Sequence, residues 1–201
     1  MESKLRILGI IPARGGSKGI HRKNLSDVCG LPLIVLSIRV GCDLVKEGVL
    51  SRCIVSTDDS EIAEVAIEFG ADVPFLRPSN AASDTSKALE YVIHALDALE
   101  GEDGGYDAVM ILQPTSPCRN VMAITASVER FIASDADSLI SCYQEEYIND
   151  LVMYLNDGDG RMTPCNPNHN KGVRRQEHGA VMVRNGCIYV TRVAYLRATG
   201  Q

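Results

Sequence analysis

The sequence contains no tryptophan, only three phenylalanines among its 201 residues, and an aromatic fraction of 5%. Its net charge is −6. An acidic chain with few aromatic side chains is disfavoured as a nucleic-acid binder. No apolar run approaches the roughly 18 residues that a membrane-spanning helix needs. The mixed residues 1–6 lead straight into an apolar segment, which predicts that there is no signal peptide.

The common metal and disulfide motifs are missing as well. Seven cysteines are present, but none forms a C-x-x-C pair. Their odd number and the expected lack of a signal peptide predict reduced thiols in a cytoplasmic protein. His21, His94, His169 and His178 have no metal-ligand spacing. The sequence shows no Ser-His-Asp or Cys-His nucleophile motif.

What the sequence does have is a basic, glycine-rich loop after its first apolar segment. Residues 10–24 read IIPARGGSKGIHRKN, with three glycines, two lysines, two arginines and no carboxylate. Glycines let backbone N–H groups approach phosphate oxygens, and the cations neutralise phosphate charge. Four cations so close together repel one another unless an anion binds. The loop therefore predicts a polyphosphate site.

The glycine spacing separates this loop from two common phosphate-binding motifs. No Gly-Lys-Ser or Gly-Lys-Thr closes it as in a Walker P-loop, and Gly15, Gly16 and Gly19 lack the G-x-G-x-x-G spacing of a dinucleotide fingerprint. A solvated surface loop is the alternative, which the crowding of like charges disfavours.

Apolar runs alternate with segments of helical periodicity along the chain. This alternation predicts an α/β fold with a mostly parallel sheet flanked by helices. The predicted strands are 5–12, 52–57, 72–76, 108–112, 138–142 and 185–191. The predicted helices are 33–46, 61–69, one that begins at residue 85, and 121–133.

The pattern changes after the fifth predicted strand. Residues 1–143 are interpreted as a nucleotide-binding α/β core, and residues 186–201 as the return strand of that core. Residues 144–185 contain a hairpin turn and a polar loop, and we interpret them as an excursion from the main sheet.

Three polar loops leave the carboxyl ends of predicted strands, at residues 12–24, 77–84 and 113–120. In open α/β sheets, ligands bind beyond the carboxyl ends of the strands. The sequence therefore predicts that these loops face one crevice.

Several polar residues in and near these loops allow two interpretations. Arg77, held extended by Pro78, suits a phosphate or a base but also a surface ion pair. Gln113 presents an amide to the crevice or belongs to a plain connector. Asp58 and Asp59 resemble a metal pair, but their place at a helix start favours capping.

Two further pairs of polar residues also allow two interpretations each. Ser83 and Asp84 precede a predicted helix, where they would at least act as caps. Arg174 and Arg175 suit a carboxylate or phosphate ligand, or simply a solvated face.

Taken together, these motifs resemble those of the acylneuraminate cytidylyltransferases, the CMP-sialic acid synthetases. The resemblance covers essentially the whole chain. The segments that match the family in order and spacing are IPARGGSKG at 11–19, RKN at 22–24, VSTDD at 55–59, RP at 77–78, ASD at 82–84, LQPTSP at 112–117, RRQ at 174–176 and NGCIY at 185–189.

The resemblance implies a Rossmann-like nucleotidyltransferase fold and a cytidylyltransferase activity. In this family the anomeric hydroxyl of a nine-carbon 2-keto sugar acid attacks the α-phosphorus of CTP, and pyrophosphate leaves with assistance from Mg²⁺. It also implies a homodimer in which residues 144–185 swap across the interface and complete the partner's sugar pocket.

The resemblance also assigns roles to individual residues. Lys18 and Arg14 are the expected catalytic residues. The residues expected to bind CTP are Ala13, Arg14, Gly15, Gly16, Ser17, Lys23, Asn24, Arg77, Ser83 and Gln113. The residues expected to bind the sugar acid are Gln113, Arg174 and Gln176.

Three departures from the family pattern modify these expectations. The family's Asp-Ile-Asp segment, which holds Mg²⁺, would follow the NGCIY strand, but this sequence stops at Gln201 and shows no metal ligands. We therefore expect a protein that binds CTP but turns over poorly. His21 stands where the family usually has proline, which should loosen the loop slightly. Residues 144–147 offer no match for an expected sugar-contacting lysine, so sialic, legionaminic and pseudaminic acids all remain open.

The sequence is also compatible with two alternative functions. One is a non-catalytic or truncated CTP-binding member of the family. The other is a relative of the GDP- or UDP-sugar pyrophosphorylases, because the sequence alone does not identify the base.

Overall fold

A computed structural model of the protein describes residues 5–16, 19–78, 88–145, 148–172 and 180–200. Within these ranges, no helix is long and apolar enough to cross a membrane.

A five-stranded sheet organises the fold. Its strand β1 (Ile7–Pro12) lies between two strands and pairs in parallel with both, β4 (Arg52–Ser56) and β5 (Ala108–Ile111). β9 (Val181–Arg192) lies antiparallel to β5, and β6 (Ser138–Glu145) forms the edge beyond it. The sheet order is β4-β1-β5-β9-β6. The predicted α/β class with a mostly parallel sheet is confirmed.

Five helices accompany the sheet among the described residues. They are α1 (Leu33–Lys46), α2 (Ser60–Glu68), α3 (Ala88–Asp103), α4 (Val121–Ile132) and α5 (Val193–Thr199). The helices predicted at 33–46, 61–69 and 121–133 are confirmed to within a residue or two. The start predicted for the third helix, residue 85, lies outside the described residues.

β1 is buried on both of its faces. Ile7 and Ile11 belong to a core cluster that includes side chains of α1, α2 and α4. Leu8 and Ile10 point to the opposite side and join a second cluster with α3 and α5. A strand covered on both faces needs a continuous aliphatic run rather than an alternating pattern. This explains the unbroken apolar segment that precedes the basic loop.

Two short strands follow the basic loop. β2 (Asp27–Val28) and β3 (Leu31–Pro32) form an antiparallel hairpin. Its two turn residues, Cys29 and Gly30, both have positive φ, at 54° and 85°. This is the backbone twist that two-residue hairpins require. Helix α1 begins directly after Pro32, as predicted.

The strand predicted at 72–76 is wrong as a continuous element. Only two isolated parallel bridges form there, Ile54 with Asp72 and Thr57 with Leu76. Pro74 lies between them and has no N–H to donate to a strand ladder. The segment therefore touches the edge of the sheet at both ends without forming a strand.

The chain divides into two compact units, residues 1–140 with 186–201, and residues 141–185. The second unit contains a hairpin of β7 (Tyr154–Asn156) and β8 (Met162–Pro164). Its turn holds Gly158 and Gly160, both at φ 87°. The sugar-pocket and dimerisation roles expected of residues 144–185 stay predictions.

Close packing between α1 and the sheet depends on two glycines. A Cβ atom at Gly41 of α1 would lie 2.6 Å from the Cys53 sulfur. A Cβ atom at Gly9 of β1 would lie 2.9 Å from the same sulfur and 2.7 Å from Leu50 Cδ1. The Cys53 thiol therefore fills the space that two missing side chains leave. Burial is the main cause that raises its pKa to about 12.

We expect Gly41→Ala to destabilise the protein by about 1–3 kcal/mol, because the added methyl group overpacks this contact. Gly101→Ala is the matched control. Gly101 is also helical, but a Cβ atom added there would meet no described atom within 4 Å. The control should be neutral or stabilising by up to about 1 kcal/mol, since alanine favours helix over glycine. Urea unfolding measures both, and equal effects would contradict the packing argument.

Candidate active site

The parallel register brings the carboxyl ends of three strands to one edge of the sheet. Ile10 of β1 lies beside Ile54 of β4 and beside Ile111 of β5. The segment after residue 76 joins the same edge, because the Arg77 N–H donates to the Thr57 carbonyl at 2.7 Å. The described parts of all three predicted loops thus begin side by side.

Hydrogen bonds from Asn24 and Gly15 help to fix the described part of the basic loop. The side-chain amide of Asn24 donates to the Arg14 carbonyl at 3.0 Å, and Asn24 is only 6% exposed. The Gly15 N–H donates to Asp58 Oδ1 at 3.1 Å. Ala13, which leads into the loop, is buried. The loop is therefore held both to itself and to the turn after β4.

Carboxylates before and within α2 complete this arrangement. Asp59 caps α2, because its side chain accepts hydrogen bonds from the Glu61 and Ile62 N–H groups at 2.9 and 3.1 Å. The predicted capping role of Asp59 is confirmed. Arg22, in the left-handed region at φ 50°, pairs with Glu61 at 2.6 Å and with Asp59 at 3.6 Å.

These ion pairs correct one expectation drawn from the sequence. The cations of the loop were expected to repel one another until an anion bound. The charge of Arg22 is instead compensated within the chain, by carboxylates that follow the neighbouring strand. The run DDSE at 58–61 was the available signal, but only the pairing of β1 with β4 places it against the loop.

Arg77 is buried rather than projecting into solvent. Its guanidinium donates to the Ser56 carbonyl and lies 5.1 Å from the centre of the Tyr91 ring. Burial lowers the pKa of Arg77, and Asp58 opposes that shift. Burial likewise raises the pKa of Tyr91 to about 12, which the nearby arginine charge opposes. The predicted contact of Arg77 with cytidine stays a prediction.

Gln113 begins the loop after β5 and lies against β9. A Cβ atom at Gly186 would be 3.0 Å from Ser116 Oγ and 3.4 Å from Gln113 Oε1. Gly186 has φ 72°, so glycine suits both its backbone and its surroundings.

Sequence reasoning missed Arg119, which holds this loop in place. Its guanidinium donates to the Gln113 carbonyl at 2.6 Å, the Cys187 carbonyl at 2.7 Å and Ser37 Oγ at 2.9 Å. These partners lie 6, 68 and 82 residues away along the chain. No local pattern identifies so distant a set.

The structure thus brings part of the predicted site to one edge of the sheet, namely Ala13, Arg14, Gly15, Gly16, Lys23, Asn24, Arg77 and Gln113. The remaining predicted site residues lie outside the described residues, namely Ser17, Lys18, Ser83, Arg174 and Gln176.

The described residues do not fit the Mg²⁺ site that the family resemblance implies. Within them, no group of three or more His, Cys, Asp or Glu side chains is arranged to hold a metal ion. The nearest carboxylates to the loop already have partners, since Asp58 accepts from Gly15 and Asp59 caps α2.

The fold and the arrangement of its loops define an α/β protein with a mostly parallel sheet, and comparison with known proteins specifies the family. The cytidylyltransferase family model matches residues 8–196. The chain therefore belongs to the cytidylyltransferase family, and the identification made from its motifs is confirmed.

Its similar curated proteins include enzymes for three sugar acids. A pseudaminic acid cytidylyltransferase of Campylobacter jejuni is 36% identical over 77% of this chain and 66% of its own length. The CMP-N,N'-diacetyllegionaminic acid synthase of Legionella pneumophila is 41% identical over 62% of this chain and 53% of its own length. The N-acylneuraminate cytidylyltransferase A of Danio rerio is 32% identical over 92% of this chain and 41% of its own length. The chain thus spans two thirds or less of the length of these relatives.

Solved structures share the fold. A CMP:2-keto-3-deoxy-manno-octonic acid synthetase complexed with CTP superposes with a TM-score of 0.70 at 17% identity, over 98% of this chain and 78% of that chain. A cytidylyltransferase of Leptospira borgpetersenii superposes with a TM-score of 0.59 at 15% identity, over 97% of this chain and 63% of that chain. The expected nucleotidyltransferase fold is confirmed.

We expect Gly15→Ala to destabilise the protein by about 1–3 kcal/mol, through overpacking and disturbance of the α2 cap. The new Cβ atom would lie 2.5 Å from Asp59 Oδ2 and 2.9 Å from Asp59 Cβ. Asp59 cannot retreat without losing its hydrogen bonds to the start of α2.

Gly16→Ala is the control, because a Cβ atom added at Gly16 would meet no described atom within 4 Å. Its effect should stay within about 0.5 kcal/mol. Thermal and urea unfolding of the ligand-free protein compare the two variants. The same loss for both would show that contact with Asp59 is not the cause.

Proposed function

We propose that this protein transfers CMP from CTP to a nine-carbon 2-keto sugar acid and releases pyrophosphate. The observation that carries the proposal is the glycine-rich basic loop, which is tied down at Gly15 and Asn24 beside the Gln113 loop. The names of the similar curated proteins support the same reaction class.

The described residues suit recognition of a triphosphate. Arg14 and Lys23 add positive charge near the carboxyl edge of the sheet, and Gly16 leaves room for oxygen atoms to approach the backbone. Arg22 is already paired with Glu61, so its role is to fix the loop. Lys18 and Ser17 would complete the phosphate contacts, according to the family resemblance.

The proposed reaction is an in-line displacement at the α-phosphorus. The anomeric oxygen of the sugar acid forms a bond to that phosphorus, and the bond to the pyrophosphate oxygen breaks. Catalysis of this kind depends on positioning and on neutralising the charge that develops. According to the family resemblance, the cytidine would be held by Asn24, Arg77 and Ser83. Gln113 would lie between the ribose and the sugar acid, and the sugar acid would be held by Gln113, Arg174 and Gln176. Dependence on Mg²⁺ stays a prediction of the family resemblance.

The test is a screen for pyrophosphate release with CTP, Mg²⁺ and each of pseudaminic, legionaminic and N-acetylneuraminic acid. We expect slow release with at least one acid, and a further loss of about 100-fold or more in Lys18→Ala and Arg14→Ala. Rapid Mg²⁺-dependent release would contradict the expected poor turnover. Lys46→Ala is the control, because Lys46 is an exposed lysine on α1 that pairs with Asp43. Full activity in Lys18→Ala would contradict the catalytic assignment.

Thermal-shift measurements with CTP, UTP and GTP complete this test. Stabilisation by CTP without turnover of any sugar acid would point to a non-catalytic CTP-binding protein. A preference for UTP or GTP would favour a sugar pyrophosphorylase relative instead.

The proposal includes a homodimer formed through the second unit. Several large apolar side chains of this unit are exposed, namely Ile148, Val152, Met153, Tyr154, Leu155, Met162 and Met182. Exposed apolar surface of this density is typical of protein–protein contacts. A second copy of the chain is the occupant that the family resemblance implies.

We expect Leu155→Glu to shift the protein from dimer to monomer, because a carboxylate would have to be buried in the interface. Met122→Glu is the control, since Met122 lies on α4 of the first unit and is 81% exposed. Light scattering coupled to size-exclusion chromatography measures the mass of each variant. A monomeric parent protein, or a Leu155→Glu variant that stays dimeric, would refute this interface.

A further inference from the structure

Arg119 joins three elements through one side chain. Its guanidinium contacts three residues: Ser37 of α1, Cys187 of β9, and Gln113, which is the first residue of the loop after β5. Ser37 is fully buried, so its hydroxyl is a fixed acceptor. Donation to three acceptors in different directions requires the rigid planar fork of arginine.

Two of these acceptors lie on neighbouring elements of the sheet, namely the loop after β5 and strand β9, which pairs with β5. The Gln113 carbonyl sits directly before the turn that contains Pro114. Cys187 follows Gly186, where a Cβ atom would lie 3.4 Å from Gln113 Oε1. Because Arg119 holds both carbonyls, it sets the spacing between the Gln113 amide and the backbone at Gly186.

We propose that Arg119 is a positioning residue that fixes the Gln113 side chain against β9. Arg119 acts through Gln113 and does not itself contact substrate. The effect on catalysis rests on the proposed function, in which Gln113 lies between the ribose and the sugar acid. The positioning itself does not depend on that function.

Arg192 offers a matched control, because it lies on β9, the strand that also holds Cys187. Its guanidinium also donates to backbone carbonyls, those of Ala136 at 3.0 Å and Ser134 at 3.1 Å, and it stacks on Phe131 at 5.0 Å. Its register partner is Ala108, at the amino end of β5. Arg192 therefore does comparable anchoring at the end of β5 opposite Gln113.

The first experiment observes the side-chain amide signal of Gln113 by ¹H–¹⁵N NMR. The signal is assigned as the one that disappears in the Gln113→Ala variant. We expect Arg119→Lys to shift or broaden this signal, because the single ammonium nitrogen of lysine does not reproduce the spread of three guanidinium nitrogens. Arg192→Lys should leave it in place. Ser37→Ala removes one acceptor only and should shift the signal less, which keeps the test valid if Arg119→Lys folds poorly. An unchanged Gln113 signal in Arg119→Lys and Ser37→Ala would overturn the proposal.

The second experiment measures the consequence for the reaction. We expect Arg119→Lys to lower kcat/KM about 10- to 100-fold, and Arg192→Lys to change it less than about twofold. In the Gln113→Ala background, Arg119→Lys should cost less than about a further twofold, because residues that act as a unit are non-additive. Equal losses in the two arginine variants, or fully additive losses in the double variant, would overturn the catalytic consequence. A wild-type protein that releases no pyrophosphate would refute the proposed function, while the NMR result would still decide the positioning.

Discussion

The parallel pairing of β1 with both β4 and β5 is the constraint on which the site depends. It requires β1 to be buried on both faces, and the aliphatic segment before the loop meets that requirement. Once the three strands are in register, their carboxyl ends share one edge. The strand order thus makes neighbours of the basic loop, the start of α2 and the Gln113 loop.

At the carboxyl edge of the sheet, positive charge on the basic loop is compensated by nearby carboxylates. The basic loop belongs to an acidic chain, and the acidic start of α2 lies directly against it. Asp58 accepts a hydrogen bond from a loop N–H and Asp59 caps α2, while Arg22 pairs with Asp59 and Glu61. The result is a loop fixed by its own protein, to which Arg14 and Lys23 add further positive charge.

Much of the fold followed from local patterns, whereas much of the site did not. The aliphatic run, the glycine-rich loop and the helix at 33–46 each carry their signal within a few residues. Asp59 was correctly interpreted as a cap because its neighbours begin a helix. The segment at 72–76 forms only two isolated bridges, because Pro74 between them has no N–H to donate to a strand ladder. The contacts of Arg22 with Glu61 and of Arg119 with Cys187 join residues that are distant in sequence. Only the strand order brings such residues together, and no periodicity encodes it.

The bond from Gly15 to Asp58 has a consequence for the order of folding. It closes a segment of 43 residues, so the loop cannot reach its final shape until β4 has docked and α2 has begun. Closing such a segment has an entropic cost, which the core contacts of β1 and β4 must already offset. We therefore expect the basic loop to reach its final conformation after the core has formed. Conversely, a transient opening at the first turn of α2 would release the loop while the sheet stayed intact, as local unfolding reactions commonly do. The shape of the basic loop is thus linked to the stability of the first turn of α2.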